Sequence, residues 1–389
     1  MIICGLISSC FPLFFLSQTY PTSPMLWSID IPKTVGQGPS WTESTVDIMD
    51  DSIGNMTGFA ELSLPNVTQS TVVVIVLSAR GHFERRQTIR DTWAKGHDQV
   101  YFVVGTPCRI PVLARISELR CQRRPGVKHI VDKIHDARLQ REHEQIVAEN
   151  ENHRDIIVAP RSESYVSLPN KLKFGYDFVI RHCSQAQWIV KADDDFYVRV
   201  DALSGFLEPL NASVPTVVGK ILWWGDPVRR SGKNAEHAYK KRRYPNFAIG
   251  SYGHVVSRPI AEYVAEHKDT LFEYQGEDTS LGIWLNESTL NPLWAKAGGY
   301  YKMQMLKWQR ELETRGFSFQ WTEMPIRLSR DGNCTDKSLY MIGHDISPKR
   351  MRQCFEVDDF HLGVHSSIQV DDSPGNGTTT KKSLSPGQA

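Results

Sequence analysis

Val72-Val73-Val74-Ile75-Val76-Leu77 is an unbroken apolar run in which five of six residues are β-branched. A strand with one wet face alternates apolar and polar residues. An unbroken run instead marks a strand covered on both faces, as in a parallel sheet flanked by helices. Ser78 to His82 break the run, and Glu84 to Trp93 read as a helix. Gln99 to Val104, Asp155 to Val158 and Trp188 to Val190 read as further strands, with a helix over Leu172 to His182. Strand and helix alternate with short breaks, so the expected class is α/β with a mostly parallel central sheet. In such sheets ligands sit beyond the carboxyl ends of the strands. Of the 389 residues, 40% are hydrophobic and 23% charged, enough for a substantial core. A formal net charge of +1 argues against a dedicated nucleic-acid binder, which needs a basic excess.

The ends suggest a compartment. Residues 1–16 carry no charged side chain, and the first charge is Asp30. As a helix they would span about 24 Å, which suits a signal-peptide core, or the end of a signal anchor that would hold the protein to a membrane if uncleaved. Residues 17–70 are rich in Pro, Ser, Thr and Gly and read as a flexible stem. Residues 71–368 read as the folded domain, which the resemblance given below makes the catalytic one, and 369–389 as a disordered tail. Asn55, Asn66, Asn211, Asn286, Asn333 and Asn376 all lie in N-x-S/T sequons. Five cysteines lie beyond the leader, allowing two disulfides and one free thiol. Cys108 and Cys121 bracket a short loop and are the first candidate pair. No C-x-x-C spacing suggests zinc.

The chemistry gathers in a few motifs. Lys191-Ala192-Asp193-Asp194-Asp195 follows the strand at Trp188. Three carboxylates there repel one another unless a divalent cation such as Mg²⁺ or Mn²⁺ offsets them. Strand alternation would put Asp193 and Asp195 on one side, facing a ligand, with Asp194 opposite to hold the loop. A solvated acidic turn is the alternative. Glu277-Asp278 is a second acidic pair, either a helix cap or a general base for an acceptor hydroxyl. Arg85, Arg86 and Arg90 stand early in a helix, against its macrodipole. A bound diphosphate would justify them, and so would internal ion pairs. Trp223-Trp224 could be an acceptor wall or core. Residues 292–319, with Trp294, Tyr300, Tyr301 and Trp308, could line an acceptor groove or form a surface helix over Lys302 to Arg315.

From about Val72 to Cys354 the chain resembles the β1,3-glycosyltransferases of glycosyltransferase family 31. Four blocks carry the resemblance: Arg85 to Trp93 (R-R-x-x-I-R-x-T-W), Trp188 to Val198 (K-x-D-D-D), Gly250 to Ser257 with Glu277 to Gly282 (E-D-x-x-x-G), and Gly343 to Met351 (H-x-x-S-P-x-x-M). The sequence departs from the pattern at His254, Thr279 and the Tyr244 to Ala248 segment. The resemblance implies a GT-A fold, in which a Rossmann-like nucleotide-binding half is fused to an acceptor-binding half. It implies a UDP-sugar donor (UDP-galactose or UDP-N-acetylglucosamine), Mn²⁺, and a glycan acceptor on glycoprotein or glycolipid. It also implies a lumenal catalytic domain at the Golgi membrane. By the same resemblance Asp195 and His344 coordinate the metal and Asp193 and Asp194 support the nucleotide. Asp278 is the catalytic base, and Arg86, Arg90 and Lys191 line or brace the donor pocket. Inverting transfer needs one carboxylate base and charge stabilisation on the departing diphosphate, which this set could supply. The competing classes are a lectin-like or scaffold relative of the same fold and a metal-dependent phosphodiesterase.

Overall fold

The structure is a computed structural model that describes residues 60–127, 132–223, 226–297, 321–324, 327–330 and 332–366. The leader, most of the stem, the tail, Trp224 and the 302–315 segment lie outside those residues. The central sheet has eight strands: β1 (Val72–Leu77), β2 (Val100–Thr106), β3 (Ile156–Ser162), β4 (Trp188–Asp193), β5 (Thr216–Gly219), β6 (His254–Ser257), β7 (Leu293–Ala297) and β8 (Trp321–Met324). Their spatial order is β8-β7-β5-β6-β4-β1-β2-β3. Every neighbouring pair is parallel except the two made by β6, which runs against β4 and β5. The expected mostly parallel α/β sheet is therefore present.

Seven helices accompany it among the described residues: α1 (Phe83–Asp91), α2 (Lys133–His153), α3 (Leu168–His182), α4 (Val200–Leu207), α5 (Arg258–Glu266), α6 (Glu277–Glu287) and α7 (Pro348–Ser366). The β1 run feeds two cores. Val72, Val74 and Val76 pack with Ile89 and Trp93 near α1, Leu203 of α4 and Met351 of α7. Val73, Ile75 and Leu77 pack with Tyr176 of α3, Ile260 of α5 and Trp284 of α6. All six β1 residues are buried, and each such side chain contributes about 1.5–3 kcal/mol by leaving water. The unbroken pattern thus reflects a sheet covered on both faces.

Two boundaries and one side-chain placement that differ from the sequence reading bear on the site. β4 continues to Asp193, because Ala192 and Asp193 still pair in register with Val76 and Leu77. The stem ends earlier than residue 70. Asn66 N donates to Arg154 O at 2.7 Å, Asn150 Nδ2 to Ser63 O at 2.7 Å, and Thr68 N to Tyr101 Oη at 3.1 Å, so residues 60–70 lie along the domain. Trp294 sits in β7 as a buried core side chain rather than in a groove. Half-buried Trp223 packs against the same core.

Cys108–Cys121 and Cys334–Cys354 are disulfides, and Cys183 is free and buried. The second disulfide ties the segment before the Leu339–Ile342 strand to α7. That strand pairs antiparallel with Tyr197–Val198, just beyond the aspartate run. This pairing brings residue 344 to residue 195 across 149 positions of chain. Arg199 locks the junction, donating to Asp358 Oδ2 at 2.9 Å and to Asp336 O at 2.8 Å.

Candidate active site

The parallel strands β1 and β4 end side by side, with Leu77 opposite Asp193. β6 is antiparallel, so its first residue, His254, meets Lys191 at the same edge. The loop after β1, the aspartate run and the segment entering β6 therefore converge where ligands bind in open α/β sheets.

Each aspartate has its own task. The chain turns at Asp194-Asp195, so strand alternation does not extend beyond Asp193. Asp193 Oδ1 lies 2.8 Å from Lys191 Nζ. Asp194 is buried and holds the loop, accepting from Ser78 Oγ and His82 Nδ1 at 2.7 Å each. Burial alone would raise its carboxyl, but the bond from His82 and then that from Ser78, with the charge of Arg85, bring it below its ordinary value. Asp195 Oδ2 accepts from Asp345 N at 3.1 Å and lies 3.2 Å from His344 Nδ1, while Asp195 O accepts from Ile346 N at 3.0 Å.

Asp195, His344 and Asp345 each offer a ligand atom within 4.8 Å of the others. Asp195 Oδ1 is buried with no hydrogen-bond partner among the described residues. A buried carboxylate oxygen left unpaired is costly unless a cation or water meets it. Two carboxylates and an imidazole suit a transition ion such as Mn²⁺. Asp345 has φ +65°, a left-handed conformation that is uncommon outside glycine and typical of constrained sites.

Lys191 joins the two acidic motifs. It is fully buried, 2.8 Å from Asp193 and 2.9 Å from Glu277 Oε1. Burial would lower its ammonium, but Asp193 and Glu277 hold it well above the usual range. Burial would likewise raise Glu277, yet Lys191 keeps it below the ordinary value and charged. Burial, and then that adjacent Glu277 charge, push Asp278 up to about 6. The two neighbouring carboxyls are thus pushed apart, the pattern of a charged support beside a working base. Asp278 does not cap α6, whose first turn it occupies. Its Oδ2 accepts from Gly250 N at 2.9 Å and its Oδ1 from Thr279 N at 2.7 Å. Gly250 permits this approach, since a Cβ there would lie 2.6 Å from Glu277 Oε1.

Of the two roles expected of Arg86 and Arg90, lining or bracing, their contacts are those of braces. Arg86 is fully buried and spends all its donors inside the protein, on both Glu149 oxygens, Ser78 Oγ, Ala79 O and Arg80 O. Arg90 grips Asp155 through two nitrogens at 2.8 Å and Glu149 through a third at 2.7 Å. Neither has a geometry for lining a donor pocket. Arg86 braces the loop that presents Ser78 to Asp194, and Arg90 secures α1. The residue missed is Arg85, whose NH1 lies 3.3 Å from Asp194 Oδ1 and 3.8 Å from Asp195 Oδ2. Trp93 completes the motif by donating from Nε1 to Phe196 O at 2.9 Å. His82, Ser78 and Asp345 also entered the site unannounced, because polar loop residues carry no periodic signal.

A protein-family model described as Galactosyltransferase matches residues 135–293. That span includes both acidic motifs but neither α1 nor His344. The protein named UDP-GalNAc:beta-1,3-N-acetylgalactosaminyltransferase 2 from Danio rerio is 34% identical over 158 residues, covering 39% of this chain and 31% of that protein. Its Homo sapiens counterpart is 32% identical over 163 residues, covering 41% and 31%. Beta-1,3-galactosyltransferase 5 from Pan paniscus is 24% identical over 237 residues, covering 58% and 68%. The chain spans about a third of the length of the first curated relatives it matches. The apo structure of the WbbM bifunctional glycosyltransferase aligns at a TM-score of 0.31 with 12% identity, covering 78% of this chain and 53% of that one, too low for a structural correspondence. The sequence matches make the chain similar, over part of its length, to beta-1,3-galactosyltransferases and beta-1,3-N-acetylgalactosaminyltransferases.

Proposed function

We propose that the chain is an inverting, metal-dependent hexosyltransferase that moves a sugar from a UDP donor to a glycan hydroxyl in β1,3 linkage. The observation that carries this reading is the Lys191 bridge. It sets a base with a raised pKa, Asp278, beside the turn that holds the Asp195–His344–Asp345 group. The relatives' names mention galactose and N-acetylgalactosamine, so we favour a galacto-configured donor over UDP-N-acetylglucosamine. The acceptor is a glycan on protein or lipid.

Asp278 takes the proton from the acceptor hydroxyl as that oxygen bonds to the donor's anomeric carbon. The bond from that carbon to the diphosphate breaks, and the leaving group keeps its electron pair. Thr279 N and Gly250 N aim the carboxylate. Asp195 and His344, with Asp345, would hold Mn²⁺, which when bound supplies Lewis-acid stabilisation of the diphosphate charge. Arg85 adds a fixed cation beside the same turn. The two disulfides, and the exposure of Asn66, Asn211, Asn286 and Asn333 in their sequons, support our assignment to the Golgi lumen. No described helix is long and apolar enough to cross a membrane. We assign a membrane tie to the uncharged residues 1–16.

The deciding assay is UDP release by the full chain with UDP-galactose, UDP-N-acetylgalactosamine or UDP-N-acetylglucosamine and a glycan panel. Acceptor-dependent release abolished by EDTA supports the reading, while UDP binding without turnover on any acceptor favours a lectin-like relative. Absence of Mn²⁺-dependent UDP binding would remove it altogether. Two further results are expected. A base must be unprotonated, so kcat/KM falls with unit slope as pH drops through about 6. A flat profile down to pH 5 would contradict this. Asp195→Asn weakens Mn²⁺ binding by at least about 10–100-fold, the loss typical even of groups that only support a ligand. Titration followed by electron paramagnetic resonance reads this, and an unchanged Mn²⁺ affinity would take Asp195 out of the ligand set.

A further inference from the structure

Between β5 and β6 the chain makes a long excursion over residues 226–246. It carries seven lysines and arginines against two acids, a local excess of +5 in a chain whose total is +1. Arg229, Lys240, Lys241 and Arg242 are all exposed. Like charges so concentrated repel one another unless an anion is present.

The excursion is built rather than loose. Glu236 is buried, and its oxygens accept from Tyr239 N at 2.9 Å, Ala238 N at 2.5 Å and Gln275 N at 2.6 Å, so the backbone consumes this carboxylate. Tyr239 stacks on Tyr244 at 5.8 Å, and both join Val228, Phe247 and Ile283 in a small core against α6. Gln275, the anchor point, stands three residues before Asp278. Asn234 accepts from Tyr165 Oη at 3.0 Å, and the charges of Asp193, Glu277 and Asp278 all reach Tyr165. A cavity of about 810 Å³ opens beside Ala235–Ala238, bounded also by Arg120, Phe174, Lys268 and Tyr274. That is ample for a short oligosaccharide.

We propose that the acceptor glycan carries an acidic group, a carboxylate, sulfate or phosphate, and that the basic 226–246 excursion binds it beside Asp278. This rests on the glycosyltransferase reading above. The loop selects the acceptor by charge, while the acidic turn and Arg85 serve the donor. Exposed charges attract through water, so the interaction falls steeply with salt.

The test measures binding to the full chain by titration calorimetry, without and with UDP and Mn²⁺. The probes are a chondroitin tetrasaccharide bearing uronate only, its sulfated counterpart, glucose 6-phosphate, and neutral chitotetraose. At least one charged probe binds about tenfold or more tighter than the neutral one, a difference of about 1.4 kcal/mol, and which probe does so identifies the acidic group. Arg229→Gln/Lys241→Gln/Arg242→Gln loses that preference and keeps Mn²⁺-dependent UDP binding, while Arg229→Lys/Arg242→Lys keeps both. Equal binding of charged and neutral sugars, or a preference that survives the Gln variant, overturns the proposal. So does binding of phosphatidylserine vesicles but of no charged sugar. Wild-type chain that never binds UDP fails the transferase reading instead, and the acceptor assignment falls with it.

Discussion

Asp278→Asn is expected to lower kcat by about 10²–10⁴-fold, the span of a lost general base, while Mn²⁺-dependent UDP binding persists. The substitution is nearly isosteric and sits at the start of α6, where the carboxylate bonds to Gly250 N and Thr279 N rather than to Asp195 or His344, the pair proposed to serve the donor. Two backbone N–H groups point at the carboxylate, from Gly250 and Thr279. An amide can offer oxygen to only one of them, so a modest loss of stability accompanies the loss of rate. Asp278→Glu separates the effects, since it keeps the acid but moves it by one methylene. Activity there falls less than in the Asn variant, and its low-pH limb moves. Single-turnover rates of the Asn variant within about tenfold of wild type would assign the proton to another group.

The sequence made the sheet legible because burial on both faces leaves an unmistakable mark on Val72 to Leu77. The aspartate run and Glu277-Asp278 were legible for a related reason, since clustered carboxylates at a strand end or helix start need a partner. The partners themselves were harder to read. Lys191 lies within the strand and could have faced either core, and its partner Glu277 comes from α6, 86 residues further along the chain. Among the arginines, three similar side chains within six residues have different fates. Helical phase and the position of Glu149 on α2 send Arg86 and Arg90 inward and leave Arg85 at the acidic turn. Asp345 gave no signal, because its placement depends on a strand pairing between residues 339–342 and 197–198. Such long-range pairing leaves little local trace.

The largest effect on stability is expected at Lys191→Met. The ammonium is fully enclosed, Glu277 is buried beside it, and Asp193 is partly buried. Removing one member of a buried ionic cluster costs about 3–5 kcal/mol, because the remaining charges are left without compensation. Urea unfolding would show this as a lower midpoint with an unchanged slope. Adding Glu277→Gln to Lys191→Met removes one of the stranded charges and recovers part of the loss, so the cycle isolates the coupling. The same variant speaks to mechanism. Lys191 also pulls the Asp278 pKa down, so without it Asp278 holds its proton to higher pH. Folded Lys191→Met protein therefore needs a more alkaline medium to reach its maximal rate, whereas the double variant, relieved of the Glu277 charge, shifts back. If Lys191→Met lost less than about 1 kcal/mol, the range of an exposed pair, the lysine would not be the bridge that holds the two acidic motifs together.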